Sequence, residues 1–125
     1  MKFINKLTMI LKVYGIKNCD TMKKTFAFLE GRGISFEFID YKKQVPSVEL
    51  LQEFLTKTTL ESLINKQGTT YKKLDEDQKE VLKSKSTALP ILIAQPSMLK
   101  RPLISYPDGS LTLGFVVEQI SAKLA

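Results

Sequence analysis

Apolar and polar positions along this chain follow two periods in turn. The run Ile10-Leu11-Lys12-Val13-Tyr14-Gly15 reads as a buried strand closing on a turn. After Asn18-Cys19-Asp20, the apolar residues Met22, Phe26 and Leu29 fall at i, i+4 and i+7, which predicts a helix ending near Gly31 and Gly33. From Ser35 to Asp40 the pattern turns to alternation, with Phe36 and Phe38 facing away from Glu37 and Ile39, as in a second strand. This is a β-α-β unit, and Cys19 lies where its first strand passes into its helix.

Pro46-Ser47 opens another helix, with Ser47 as its cap and Leu50, Leu51, Phe54 and Leu55 as its apolar face. Short helical patterns follow around Leu60 to Ile64 and Asp75 to Lys83, with Gln67-Gly68-Thr69-Thr70 between them. The apolar stretch Leu89 to Ala94, bounded by Pro90 and Pro96, is too short for its period to decide between helix and strand, and is read as helix. Leu103 to Tyr106, the turn Pro107-Asp108-Gly109 and Ser110 to Leu113 form a hairpin signal. Phe115 to Leu124 then reads as a helix carrying Val116, Val117, Ile120 and Leu124 on its apolar face. Together these elements predict an α/β fold, a mixed sheet with helices on its faces and a helical insertion over about residues 47–95. Residues 1–8 are read as a loose extension, with translation starting at Met1 or Met9.

A chain of 125 residues with 43% hydrophobic content suits one domain. No apolar run is long enough to cross a bilayer, and Lys2, Lys6 and Lys12 interrupt the N-terminal stretch, so neither a membrane span nor a signal peptide is expected. A single cysteine forms no internal disulfide, and the cytoplasm is the expected compartment. The absence of histidine excludes Cys-His and Ser-His-Asp catalysis and argues against a zinc site. The net charge of +6 is spread along the chain, with pairs at Lys23/Lys24, Lys42/Lys43 and Lys72/Lys73. It reads as a solvated basic surface that favours anionic partners, without a motif for direct nucleic-acid binding.

Cys19 is the candidate nucleophile. A lone cysteine is most often a small buried hydrophobe, but this one lies in a polar turn among Lys17, Asn18, Asp20, Lys23 and Lys24. At a helix N-terminus, unpaired amides and the positive end of the helix dipole favour thiolate over thiol. Lys23 and Lys24 support that effect and Asp20 opposes it. Arg101 is the second candidate, since Arg32 is the only other arginine and Arg101 directly precedes Pro102 and a predicted strand. Its planar donor fork suits an anionic sulfur, a carboxylate or an oxyanion.

The stretch Val13-Tyr14-Gly15-Ile16-Lys17-Asn18-Cys19-Asp20-Thr21-Met22-Lys23-Lys24 resembles the opening of the ArsC family, particularly its YffB-like branch. Leu63-Ile64-Asn65-Lys66-Gln67-Gly68-Thr69-Thr70-Tyr71-Lys72-Lys73-Leu74 and Pro96-Ser97-Met98-Leu99-Lys100-Arg101-Pro102 are similar to that branch as well. The resemblance implies a thioredoxin/glutaredoxin-like fold with a helical insertion, Cys19 in the reactive loop, Pro102 as a cis-proline facing it, and a role for Arg101 beside the sulfur. Arsenate reductases of the family that work with glutathione use two further arginines. This chain has none between Gly33 and Lys100 and none after Arg101, and by spacing Gly114 occupies the downstream position. Lys66 and Lys23 are partial substitutes at best. The related Spx regulators usually carry Cys-x-x-Cys, but Met22 stands at the second cysteine position.

These readings point first to a monothiol reductase in which Cys19 attacks an electrophilic sulfur and an external thiol resolves the intermediate. Catalysis would fall to Cys19 and Arg101. Asn18 and the amides of Asp20 and Thr21 would position the sulfur, with Lys23 and Pro102 completing the substrate-binding set. Glutathione or another small thiol is the expected co-substrate, with no tightly bound cofactor or metal, glutaredoxin as a possible protein partner, and a monomeric state. The alternatives are an arsenate reductase coupled to glutathione and glutaredoxin, and a non-enzymatic Spx-like regulator that binds RNA polymerase.

Overall fold

The computed structural model describes residues 10–124, so the expectations for residues 1–8 and for a start at Met1 or Met9 lie outside the described residues. Within it the chain forms two compact units. One is built from the described residues up to Asp40 together with those from Arg101 onward, and the other from Tyr41–Lys100.

The first unit is organised on a four-stranded sheet. Strands β1 (Leu11–Gly15), β2 (Phe36–Asp40), β3 (Leu103–Ser105) and β4 (Leu111–Leu113) lie in the order β2-β1-β3-β4. β1 pairs in parallel with β2, Val13 opposite Phe38, and antiparallel with β3, Val13 opposite Ile104. Parallel neighbours need a crossover, and helix α1 (Asp20–Gly31) supplies it. The result is the mixed sheet with helices of the thioredoxin-like α/β class.

Helix α1 holds to the sheet through Met22, Thr25 and Leu29, all buried at helical spacing. Phe26 stacks on Phe36 at 5.4 Å between ring centroids and meets Phe38 edge-on at 5.0 Å, which fixes the helix against β2. The helix stops in a Schellman turn. Gly33 donates to the Glu30 carbonyl at 3.0 Å and Ile34 to that of Leu29 at 2.9 Å. This turn requires the left-handed backbone that Gly33 adopts at φ +68°. The core of the unit joins Leu11, Val13, Met22, Leu29, Ile104, Tyr106 and Ile120.

At the hairpin, Gly109 donates to the Tyr106 carbonyl and Tyr106 to that of Ser110, both at 2.9 Å, while the Asp108 carboxylate accepts from the Ser110 amide. The buried Tyr106 hydroxyl is satisfied by Thr112 Oγ1 at 2.8 Å. Helix α7 spans Val117–Leu124 and buries Ile120. Val116 and Val117, expected on its apolar face, are instead 38% and 40% exposed. Phe115 takes the inward position, meeting Phe28 edge-on at 5.9 Å, and the chain turns outward before the helix begins.

The second unit is helical: α2 (Val48–Phe54), α3 (Leu60–Leu63), α4 (Thr69–Lys72), α5 (Glu76–Val81), α6 (Lys85–Ala94) and a 3-10 turn at Pro96–Met98. Ser47, Thr59 and Asp75 cap α2, α3 and α5, the last in a reciprocal capping box with Gln78. Leu51, Leu63, Leu92, Met98 and Leu99 are among its fully buried side chains. Ile64 and Leu99 form an antiparallel bridge, in which Asn65 donates to Met98 O and Lys100 to Leu63 O, both at 2.7 Å.

Two elements differ from expectation here. The Gly68-Thr69-Thr70 segment is not a plain separator, because Lys72 and Lys73 donate back to Gly68 and Thr69 and close a single helical turn. Pro90 lies inside α6 rather than at its boundary. Its ring is exposed, so the backbone hydrogen bond that proline removes is lost on the solvent side of the helix rather than in the core. Among the described residues no helix is long and apolar enough to cross a membrane.

Candidate functional site

Cys19 is the N-cap residue of α1, with extended backbone at φ −147° and ψ 130°. Its carbonyl starts the helix by accepting from the Lys23 amide at 3.0 Å, and its own amide donates to the Lys17 carbonyl at 3.1 Å. The side chain is half-buried and packs partly against the core of the first unit. Gly15, at the end of β1, makes that placement possible. A Cβ there would come within 2.5 Å of Met22 Sδ, so the bare glycine lets the first turn of α1 close onto the strand.

Two opposed effects set the acidity of the thiol. Burial pushes it up, but the Met22 amide, a hydrogen bond from Arg101, the Thr21 amide and the Arg101 positive charge push it further down, and the balance lies below the ordinary thiol range. The sulfur closes no conventional side-chain cap. These donors act chiefly on the anion, which is a far better acceptor than the neutral thiol.

Arg101 is half-buried, its peptide bond to Pro102 is cis, and Pro102 is buried. Gly114 donates its amide to the Pro102 carbonyl at 2.8 Å and adopts φ +82°. The backbone at Gly114 thus takes a left-handed conformation that disfavours a side chain.

The sequence-predicted residues divide on this geometry. Cys19, Arg101 and the Thr21 amide come together. The second amide is that of Met22 rather than Asp20, because an N-cap side chain reaches the second and third helical amides and not the first. Asn18, Asp20, Lys23 and Lys24 are exposed, and none is among the groups that shift the thiol. Lys66 is ion-paired with Glu61 at 2.8 Å. The signals missed in the sequence are the Met22 amide and the hydrogen bond from Gly114 to Pro102. Only the first had a rule that would have found it. Among the described residues no cluster of three or more metal-ligating side chains occurs.

The chain and its fold are similar to those of known proteins. A family model described as the ArsC family matches residues 14–123. An uncharacterized protein of Haemophilus influenzae is 37% identical over 93% of this chain and the whole of its own length. The solved structure of a YffB protein superposes with a TM-score of 0.83 at 37% identity, covering 92% of this chain and 99% of that one. An arsenate reductase (ArsC) related protein from Brucella melitensis gives a TM-score of 0.74 at 44% identity, over 93% and 95% of the two chains. With a half-buried cysteine at the N-cap position of the first helix, an arginine on a cis-proline turn beside it and a family match over residues 14–123, this chain belongs to the ArsC family.

Proposed function

We propose that the protein is a monothiol reductase that uses glutathione. The observation that carries this reading is a half-exposed sulfur whose anion is favoured by the Met22 and Thr21 amides and by Arg101. Lowering the thiol pKa raises its nucleophilic thiolate fraction at neutral pH above that of an ordinary thiol, which is mostly protonated there.

In the first step the Cys19 thiolate attacks the glutathionyl sulfur of a mixed disulfide. A Cys19–glutathione disulfide forms, the substrate sulfur–sulfur bond breaks, and the substrate leaves as a thiolate that takes a proton from water. In the second step the thiolate of a free glutathione attacks the glutathionyl sulfur bound to Cys19. This releases oxidised glutathione, one half of it from the substrate, and regenerates Cys19, so each turnover consumes one free glutathione and reduces the substrate sulfur to a thiol. With one cysteine in the chain, the resolving thiol comes from outside. Arg101 stabilises Cys19 as attacking group in the first step and as leaving group in the second. Glutathione is a co-substrate here, and no resident cofactor is required.

The test is glutathione-dependent reduction of a mixed disulfide by wild type and Cys19→Ser. Loss of turnover in the variant is expected, and full turnover would remove the scheme. Arsenate reduction is the second reading, favoured by the Arg101 guanidinium beside the sulfur and by the relation to the Brucella protein. Arg32, the only other arginine, lies over the Phe28 ring at 5.0 Å, which leaves a concentrated oxyanion one guanidinium beside the cysteine. Arsenite produced with glutathione and glutaredoxin would favour arsenate, and its absence would leave the disulfide reaction.

A further inference from the structure

The second unit carries a cleft whose chemistry the cysteine site does not use. It holds about 240 Å³, between Leu60 and Lys83 in sequence, and none of its lining residues belongs to the site of Cys19 and Arg101. Leu60, Ile64, Tyr71 and Leu82 give it an apolar floor. Ile64 and Leu82 are buried, and Leu60 and Tyr71 are half-buried.

The charges around that floor do not balance. Lys66 Nζ lies 2.8 Å from Glu61 Oε2, and Lys83 Nζ lies 3.2 Å from Glu80 Oε1. Lys79 is different. Its side chain is half-buried, its ammonium sits 5.3 Å from the centroid of the Tyr71 ring, and among the described residues no carboxylate is ion-paired with it. A cation held against aromatic and aliphatic surface is only partly satisfied by a ring face, and it attracts an anion more strongly than an ammonium in bulk water does. Two lysine charges are matched and one is not, so the cleft favours a single negative charge, and Glu61 repels a second.

We propose that this cleft binds a small monocarboxylate with an apolar body, such as one aromatic ring on a short chain. The ring lies on Leu60, Ile64 and Leu82, and the carboxylate takes the Lys79 ammonium. The cleft is smaller than sites for drug-sized ligands, which span about 300–1,000 Å³. A single ring therefore fits its size.

The test is a heteronuclear NMR titration of the full chain with three probes. These are 3-phenylpropionate, 3-phenyl-1-propanol as the same body without charge, and acetate as the charge without the body. Saturable shifts at the amides of Ile64, Tyr71, Lys79 and Leu82 are expected with 3-phenylpropionate, about tenfold weaker binding with the alcohol, and no saturation with acetate. Lys79→Gln should weaken the carboxylate about tenfold, while Lys79→Arg stays within about threefold of wild type. Equal affinity for carboxylate and alcohol, an unchanged affinity in Lys79→Gln, or shifts scattered over the surface lysines would overturn the proposal. The alcohol comparison uses the unaltered protein, so it decides the matter even if a variant folds poorly. Neither outcome depends on the activity of Cys19.

Discussion

Replacing Gly15 by alanine probes how the strand end and the first turn of α1 are fitted together. The added Cβ would stand 2.5 Å from Met22 Sδ and 2.6 Å from its terminal methyl carbon. Ordinary contacts between such atoms are about 3.5–4.0 Å, so both atoms must retreat by roughly 1 Å or more. Met22 is wholly buried in the cluster with Leu11, Val13 and Leu29, and its flexible thioether has little free volume to enter. Overpacking of this kind costs about 1–3 kcal/mol. The lower entropy of an unfolded chain with alanine offsets about 0.4–1 kcal/mol of that. The net expectation is a loss of about 1–2 kcal/mol, or a fall in Tm of roughly 4–8 °C for a protein of this size.

Calorimetry on wild type, Gly15→Ala, Met22→Ala and the double variant separates the causes. Met22→Ala alone should cost about 2–5 kcal/mol through the cavity it leaves. In that background Gly15→Ala should cost nothing or be stabilising, because the alanine methyl enters space the thioether has vacated. An equal cost of Gly15→Ala in both backgrounds would refute the fit described here. The pair also bears on reactivity, since Met22 supplies one of the two amides that favour the Cys19 anion.

Thr112→Val leaves the buried Tyr106 hydroxyl without its partner at 2.8 Å, and should cost about 1–3 kcal/mol by urea denaturation. Adding Tyr106→Phe to that variant should recover part of the loss. Gly33→Ala forces a side chain into the left-handed backbone at φ +68° and should cost roughly 1–2 kcal/mol, read as a lower Tm. The acidity of Cys19 gives a linkage with a definite sign. Its folded value lies below the ordinary range, so the thiolate's contribution to stability is full above the unfolded thiol value of about 8.5 and is lost as pH falls through the folded value. Measured by urea denaturation, the stability of wild type relative to Cys19→Ser should therefore rise from pH 5 to pH 9. A difference that is flat or shrinks with rising pH contradicts the assignment.

The parts of the fold that could be read in the sequence are those whose local signals agree with their packing. β1, α1 and β2 were readable because Val13, Met22, Leu29 and Phe36 mark their inward faces with two clean periods. Cys19 stood out because it falls on the junction between them, and Arg101 because arginine is scarce and a proline follows it. The remainder depends on tertiary choices that local pattern does not encode. Val116 and Val117 look like core residues by type, but Phe115 occupies the inward place ahead of them. Pro90 looks like a boundary, but on the exposed side of α6 a missing donor is tolerated. The exchange of the Asp20 amide for that of Met22 was derivable, because cap geometry selects the second and third amides of a helix.

The proposed chemistry stands on Arg101 and the first turn of α1 favouring the Cys19 sulfur as an anion. Its most direct test is the pH dependence of Cys19 alkylation in wild type and in Arg101→Met, the rate following the thiolate fraction. The wild-type midpoint should fall below the ordinary thiol range, and the variant's should move back towards it, because one hydrogen bond and one positive charge are removed while the Met22 and Thr21 amides remain. A wild-type midpoint at about 8.5, or one that Arg101→Met leaves in place, would contradict the account.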